Sequence, residues 1–76
     1  MTWDARRIDD QTFEVDVACR TFAKAVCLEV RTAKDFSDNY FDLIPSMKKT
    51  VVVTVRRPTS LEEFEAGLKV SNGIFA

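Results

Sequence analysis

The chain of 76 residues contains no histidine. That removes the commonest general base, the commonest transition-metal ligand and the side chain that switches charge near neutral pH. Neither sign of charge is in excess. Eleven basic and twelve acidic residues leave a net charge of −1, and the pairs Arg6-Arg7, Lys48-Lys49 and Arg56-Arg57 lie far apart with acids within reach. A phosphate backbone wants a concentrated positive face, so the balance argues against a nucleic-acid partner. No apolar run approaches the roughly 18 residues of a helical membrane span, so no membrane association is expected. Met1-Thr2-Trp3-Asp4 carries no basic-then-apolar leader pattern. Only two glycines and two prolines are present, and neither a repeat nor a low-complexity segment is seen.

Cysteine is also sparse, with Cys19 and Cys27 alone. Cys19 continues the series Phe13, Val15, Val17 and points inward. Cys27 alternates with Val26, Leu28 and Val30 and points to the opposite face. A bridge needs both Cβ atoms within about 4 Å of one another, so the parity favours two free thiols over a disulfide. Free thiols fit a reducing compartment, which favours a cytoplasmic setting.

What is present is enough apolar material for one compact core. Hydrophobic residues make up 46% of the chain, which argues against disorder. A chain this short buries only about 60–65% of its unfolded surface, so residues 1–76 are read as a single domain. Residues 1–10 are charged and lack a period, and read as a linker or edge strand. Gln11 to Arg20 alternates, with Phe13, Val15, Val17 and Cys19 on one side and Thr12, Glu14, Asp16 and Ala18 on the other. Thr21 to Lys24 connects it to a second strand from Ala25 to Val30, with Val26, Leu28 and Val30 inward. A helix over Thr21 to Leu28 is the competing reading on propensity. Arg31 to Asp35 reads as a polar connection.

Ser37-Asp38-Asn39 is turn chemistry, because short polar side chains bond their own backbone. Tyr40 to Leu43 reads as a short strand and Pro45-Ser46 as a tight turn. Lys49 to Arg57 is the strongest strand signal: Thr50 to Val55 is an unbroken run of β-branched residues. Ser60-Leu61-Glu62-Glu63 reads as a capping box opening one or two helical turns, with Leu61 and Phe64 toward the sheet and Gly67 ending them. Leu68 to Val70 reads as a last strand, and Ser71-Asn72-Gly73 as a turn before Ile74-Phe75-Ala76. Several short strands with frequent turns indicate an all-β antiparallel sandwich with one short helical turn near the C-terminus.

The candidate chemistry is thin. Asp35, Asp38, Asn39 and Asp42 supply oxygens, but their spacing does not match a calcium loop and no glycine sits where its turn requires one. Local turn-making accounts for them better, and no metal or cofactor is expected. Paired carboxylates for glycoside hydrolysis need two acids across a cleft. Asp38, Asp42, Glu62, Glu63 and Glu65 all fall in turns or on solvated faces. Trp3, Phe36, Tyr40 and Phe75 stand outside the core pattern. Exposed and side by side they would make a sugar platform; otherwise they pack or meet another domain, with Trp3 and Phe75 as interface candidates.

The stretch Phe36-Ser37-Asp38-Asn39-Tyr40-Phe41-Asp42-Leu43-Ile44-Pro45, followed by Lys49-Thr50-Val51, resembles the signature of the C-terminal immunoglobulin-like domain of β-mannosidases in glycoside hydrolase family 2. The family pattern runs close to F-S-D-N-Y-F-D-L-L-P-G-E, then K-T-V. Phe22 to Leu28, Ser60 to Phe64 and Leu68 to Val70 are similar to neighbouring family segments, so the resemblance covers about Gln11 to Val70. Ser46-Met47 departs from the family's Gly-Glu, and Ser71 to Ala76 departs from its ending. In that family the catalytic glutamates lie on a separate (β/α)₈ barrel, so the resemblance carries no catalytic residue onto this chain. It implies a non-catalytic accessory immunoglobulin-like sandwich at the C-terminus of a longer, retaining β-mannosidase. The other domains of that glycosidase would be its partners. The alternative is a free immunoglobulin-like module that binds oligosaccharide or protein.

Overall fold

A computed structural model describes residues 2–72. The chain forms β1 (Thr2–Asp9), β2 (Thr12–Ala18), β3 (Ala23–Val30), β4 (Ala33–Phe36), β5 (Phe41–Leu43), β6 (Lys48–Val55), α1 (Leu61–Gly67) and β7 (Leu68–Asn72). These make two sheets, ordered β1-β2-β6-β4 and β5-β3-β7, with every pairing antiparallel. This is the expected immunoglobulin-like sandwich with one short helix.

The core lies where alternation aims it. Phe13, Val15 and Val17 of β2 stand beside Val53, Val51 and Lys49 of β6, and the five apolar members of that set are fully buried with Val55. Val26 and Leu28 of β3 and Leu43 of β5 close over them from the second sheet. Burying each such side chain contributes about 1.5–3 kcal/mol. Helix α1 plugs one end. Its capping box is complete: the Ser60 hydroxyl oxygen accepts from the Glu63 amide at 3.2 Å, and the Glu63 carboxylate accepts from the Ser60 amide at 3.4 Å. The box aims Phe64 inward, where its ring stacks on Phe13 with centroids 4.1 Å apart and planes 6° from parallel. Leu61 packs against the same core.

Four sequence expectations need correction or sharpening. Residues 2–9 are a true strand at the edge of the larger sheet, held by backbone pairing with β2; only Ala5 is buried, so no period is visible. Residues 33–35, expected within the polar connection from Arg31 to Asp35, form with Phe36 the edge strand β4 on β6. Lys34 and Asp35 stay exposed there, because an edge strand tolerates charge and even benefits from it. Ser71 and Asn72 extend β7 opposite Cys27 and Val26 instead of turning; Gly73 to Ala76, including Phe75, lie outside the described residues. Cys27 is buried, not solvent-facing. It stays outside the core cluster of Val26 and Leu28, in the wall of a groove that Tyr40 also lines.

Candidate functional site: the crossover between the sheets

The segment 36–47 carries the chain from the larger sheet to the smaller one and back. Phe36 ends β4 opposite Val53, half-buried against the core. Ser37 then continues the ladder by one residue in an unusual way. Its amide donates to the Val52 carbonyl at 2.8 Å, and its hydroxyl oxygen accepts from the Val52 amide at 2.8 Å. A side chain thus replaces the backbone acceptor that the departing strand takes away.

Asp38 accepts from the Asn39 amide at 2.9 Å and pairs with Lys49 at 2.7 Å. Lys49, with the Asn39 amide second, holds the Asp38 carboxyl below the usual range. The Lys49 ammonium also lies 5.6 Å from the Phe41 ring centre, within cation–π range.

Asn39 performs the central task. Its Oδ1 accepts from the Leu28 amide at 2.8 Å, and its Nδ2 donates to the Leu28 carbonyl at 3.1 Å. Strand β5 pairs with β3 only between Ala23 and Val26, so beyond that point β3 has lost its neighbour on that side. One amide side chain supplies both a donor and an acceptor and stands in for the missing strand.

Tyr40 follows with φ 56, a left-handed conformation that L residues adopt at a cost of about 1 kcal/mol or more. Its amide donates to Asn39 Oδ1 at 3.2 Å. Its ring is 72% exposed and lines the same groove as Cys27, whose thiol raises the pKa of the Tyr40 hydroxyl above its ordinary value. Phe41 pairs with Val26, and Leu43 drops into the core beside Ala23. Asp42 Oδ1 accepts from the Ala25 amide at 3.0 Å, satisfying the backbone where β3 bulges and Ala25 takes φ 53.

The crossover closes in a turn from Ile44 to Met47, with the Met47 amide on the Ile44 carbonyl at 3.2 Å. Pro45 occupies its second position and Ser46 its third, at φ 69. That is the signature of a type II turn, where glycine is favoured. Here serine bears the strain.

The groove beside this crossover has a volume of about 500 Å³ and is lined by Tyr40, Asn39, Phe36, Glu29, Lys69 and Arg31, among others. It holds one carboxylate, that of Glu29, and hydrolysis by a carboxylate pair needs two. The other acids considered are committed elsewhere: Asp38 to Lys49, Asp42 to Ala25 and Glu63 to the helix cap. Glu62 and Glu65 are exposed on α1. Among the described residues, no group of three or more Asp, Glu, Cys or His side chains is placed to hold a metal. Of the aromatics considered, half-buried Phe36 and exposed Tyr40 line this same groove, whereas Trp3 lies apart on β1 at the edge of the larger sheet.

Residues 3–73 match the mannosidase family of immunoglobulin-fold domains. The chain belongs to that family. No curated protein matches it closely enough to add a relative. As a mannosidase Ig-fold domain, it is an accessory module and not a catalytic one, and its crossover has the corresponding character. Leu28, Val52 and Ala25, whose backbone groups receive the crossover's side chains, carry no local sign of that role. The one available cue is negative: Ser37, Asn39 and Asp42 supply more polar atoms than a single turn consumes.

Proposed function

We propose that the domain is the structural C-terminal module of a glycoside hydrolase family 2 β-mannosidase, an enzyme that removes terminal β-linked mannose with retention. Its work is to pack against neighbouring domains of that enzyme and shape the surroundings of their active site. The observation that carries this reading is the use made of the crossover's polar groups. Ser37, Asp38, Asn39 and Asp42 each bond the domain's own backbone, so the residues most characteristic of the family serve the fold.

Two measurements test it. Incubated with an aryl β-mannoside, the 76-residue domain should release no more phenol than buffer does; turnover above background overturns the non-catalytic assignment. The natural polypeptide should extend several hundred residues ahead of this stretch and cleave that substrate. A natural product that starts at Met1 overturns the assignment to a larger enzyme.

A further inference from the structure

One end of the sandwich differs from the rest of the surface. The antiparallel pair Ala23–Leu43 carries Phe22 and Ile44 to adjacent positions just past the smaller sheet. The Ile44–Met47 turn brings Met47 to the same end. Phe22, Ile44 and Met47 are 53%, 47% and 53% exposed, and Pro45 between the latter two is exposed as well. Of the other exposed large apolar side chains, Trp3 alone is near this end, on the outer edge of the larger sheet. Ile8 lies toward the β1–β2 turn at the opposite end, and Tyr40 lines the groove beside the smaller sheet.

Charge at this end is mainly basic. Arg20 and Lys24 are exposed there and enter no ion pair among the described residues. Lys48, also exposed, meets Asp16 only at 3.7 Å. Of the acids close by, Asp16 is shared with Arg6 and Asp42 accepts from the Ala25 amide. Strand β1 starts at this end too, since Thr2 pairs with Ala18. Any polypeptide leading into Thr2 approaches from here.

We propose that this end, with Phe22, Ile44 and Met47 at its centre and Arg20, Lys24 and Lys48 at its rim, docks the domain that precedes Thr2 in a longer polypeptide. The matching face is apolar with an acidic rim. An apolar centre excludes water and a charged rim sets orientation, the division seen in protein interfaces generally. The proposal rests on the reading of this chain as one domain of a larger glycosidase.

The test compares amide hydrogen exchange in the natural longer polypeptide and in the 76-residue chain. Amides of residues 20–24 and 44–48 should exchange at least about tenfold more slowly in the longer polypeptide. Phe22→Ser with Met47→Ser should restore fast exchange there, while Ile8→Ser at the other end should leave it slow. Raising salt from about 0.1 to 1 M should weaken the protection, as the rim is screened. Equal exchange in a longer active glycosidase overturns the docking alone, whereas a natural chain beginning at Met1 overturns the parent reading with it. Two further results overturn the docking. One is dimerisation of the 76-residue chain that Phe22→Ser abolishes. The other is exchange at 20–24 that speeds up tenfold on deleting residues 73–76, which would assign the surface to this chain's own end.

Discussion

Replacing Asn39 by alanine removes the side chain that stands in for a strand along β3. Three bonds go: to the Leu28 amide at 2.8 Å, to the Leu28 carbonyl at 3.1 Å and to the Tyr40 amide at 3.2 Å. A protein hydrogen bond contributes about 1 kcal/mol net, and an orphaned buried group costs about 1–3 kcal/mol. Both Leu28 bonds are part-buried and the Tyr40 bond is exposed, so water recovers some of the loss. The expected cost is about 2–3 kcal/mol. At 0.05–0.15 kcal/mol per residue the whole domain is worth only about 4–11 kcal/mol, so this is a large fraction. A loss of that size lowers Tm by about 10–20 °C in a domain of this length. Urea unfolding followed by far-UV circular dichroism and by the single tryptophan, Trp3, measures it. The urea m-value should stay constant, because native compactness is unchanged. Asn39→Asp is the informative companion. It keeps an acceptor for the Leu28 amide but sets a carboxylate against the Leu28 carbonyl, so it should recover only part of the loss. A shift under about 0.5 kcal/mol for Asn39→Ala, the range of an ordinary surface substitution, refutes the reasoning.

Phe64→Ala removes the ring stacked on Phe13 and should cost about 3–5 kcal/mol, read as a lowered urea midpoint and an earlier loss of near-UV circular dichroism on heating. Ser46→Gly should stabilise by up to about 1 kcal/mol in urea: relief of the left-handed φ of 69 outweighs the extra freedom glycine gains on unfolding. Arg6, bonding at 2.8 Å, and then the Thr50 hydroxyl hold the Asp16 carboxyl down at about 2 from an ordinary 3.8. Its folded value being depressed, the stability it adds is fully present above pH 3.8 and disappears as pH falls toward 2. Carboxyl-carbon NMR should show that low midpoint, and Asp16→Asn should flatten the acid limb of stability; a midpoint near 4 would refute the pairing.

The parts of the fold that were legible in sequence are those where one face of an element is buried and the other is not. β2 and β6 alternate because both lie inside the larger sheet with one face on the core, and the cap of α1 is written within four residues. β1 and β4 were obscure for the opposite reason. They are edge strands held by backbone pairing, and their side chains record little of it. The inward set of β3 is legible in its alternation, but its bulge at Ala25 is met by Asp42, a partner from elsewhere in the chain. The crossover was legible as a turn and as a family resemblance. What its side chains grip was not, because Leu28 lies eleven residues before Asn39 and Val52 fifteen after Ser37, and nothing local marks either as a partner.

That arrangement also accounts for why so polar a segment serves architecture. Two sheets of unequal width cannot cover each other fully. The smaller has three strands, one of them only three residues long, and both described cysteines are free, so no covalent tie joins the layers. A chain crossing between them must leave one ladder and join another, and each departure strands amides and carbonyls that are costly to bury unmet. Ser37 satisfies Val52 at the sheet being left, Asn39 satisfies Leu28 at the sheet being joined, and Asp42 satisfies the bulge at Ala25. Each polar side chain falls where a backbone partner is missing, and Leu43 beyond them is anchored in the core. Catalysis needs polar groups free to meet a substrate, and here they are already bonded to the domain itself. The surface left over for other molecules is therefore sought away from the crossover's polar residues, at the apolar end formed by Phe22, Ile44 and Met47.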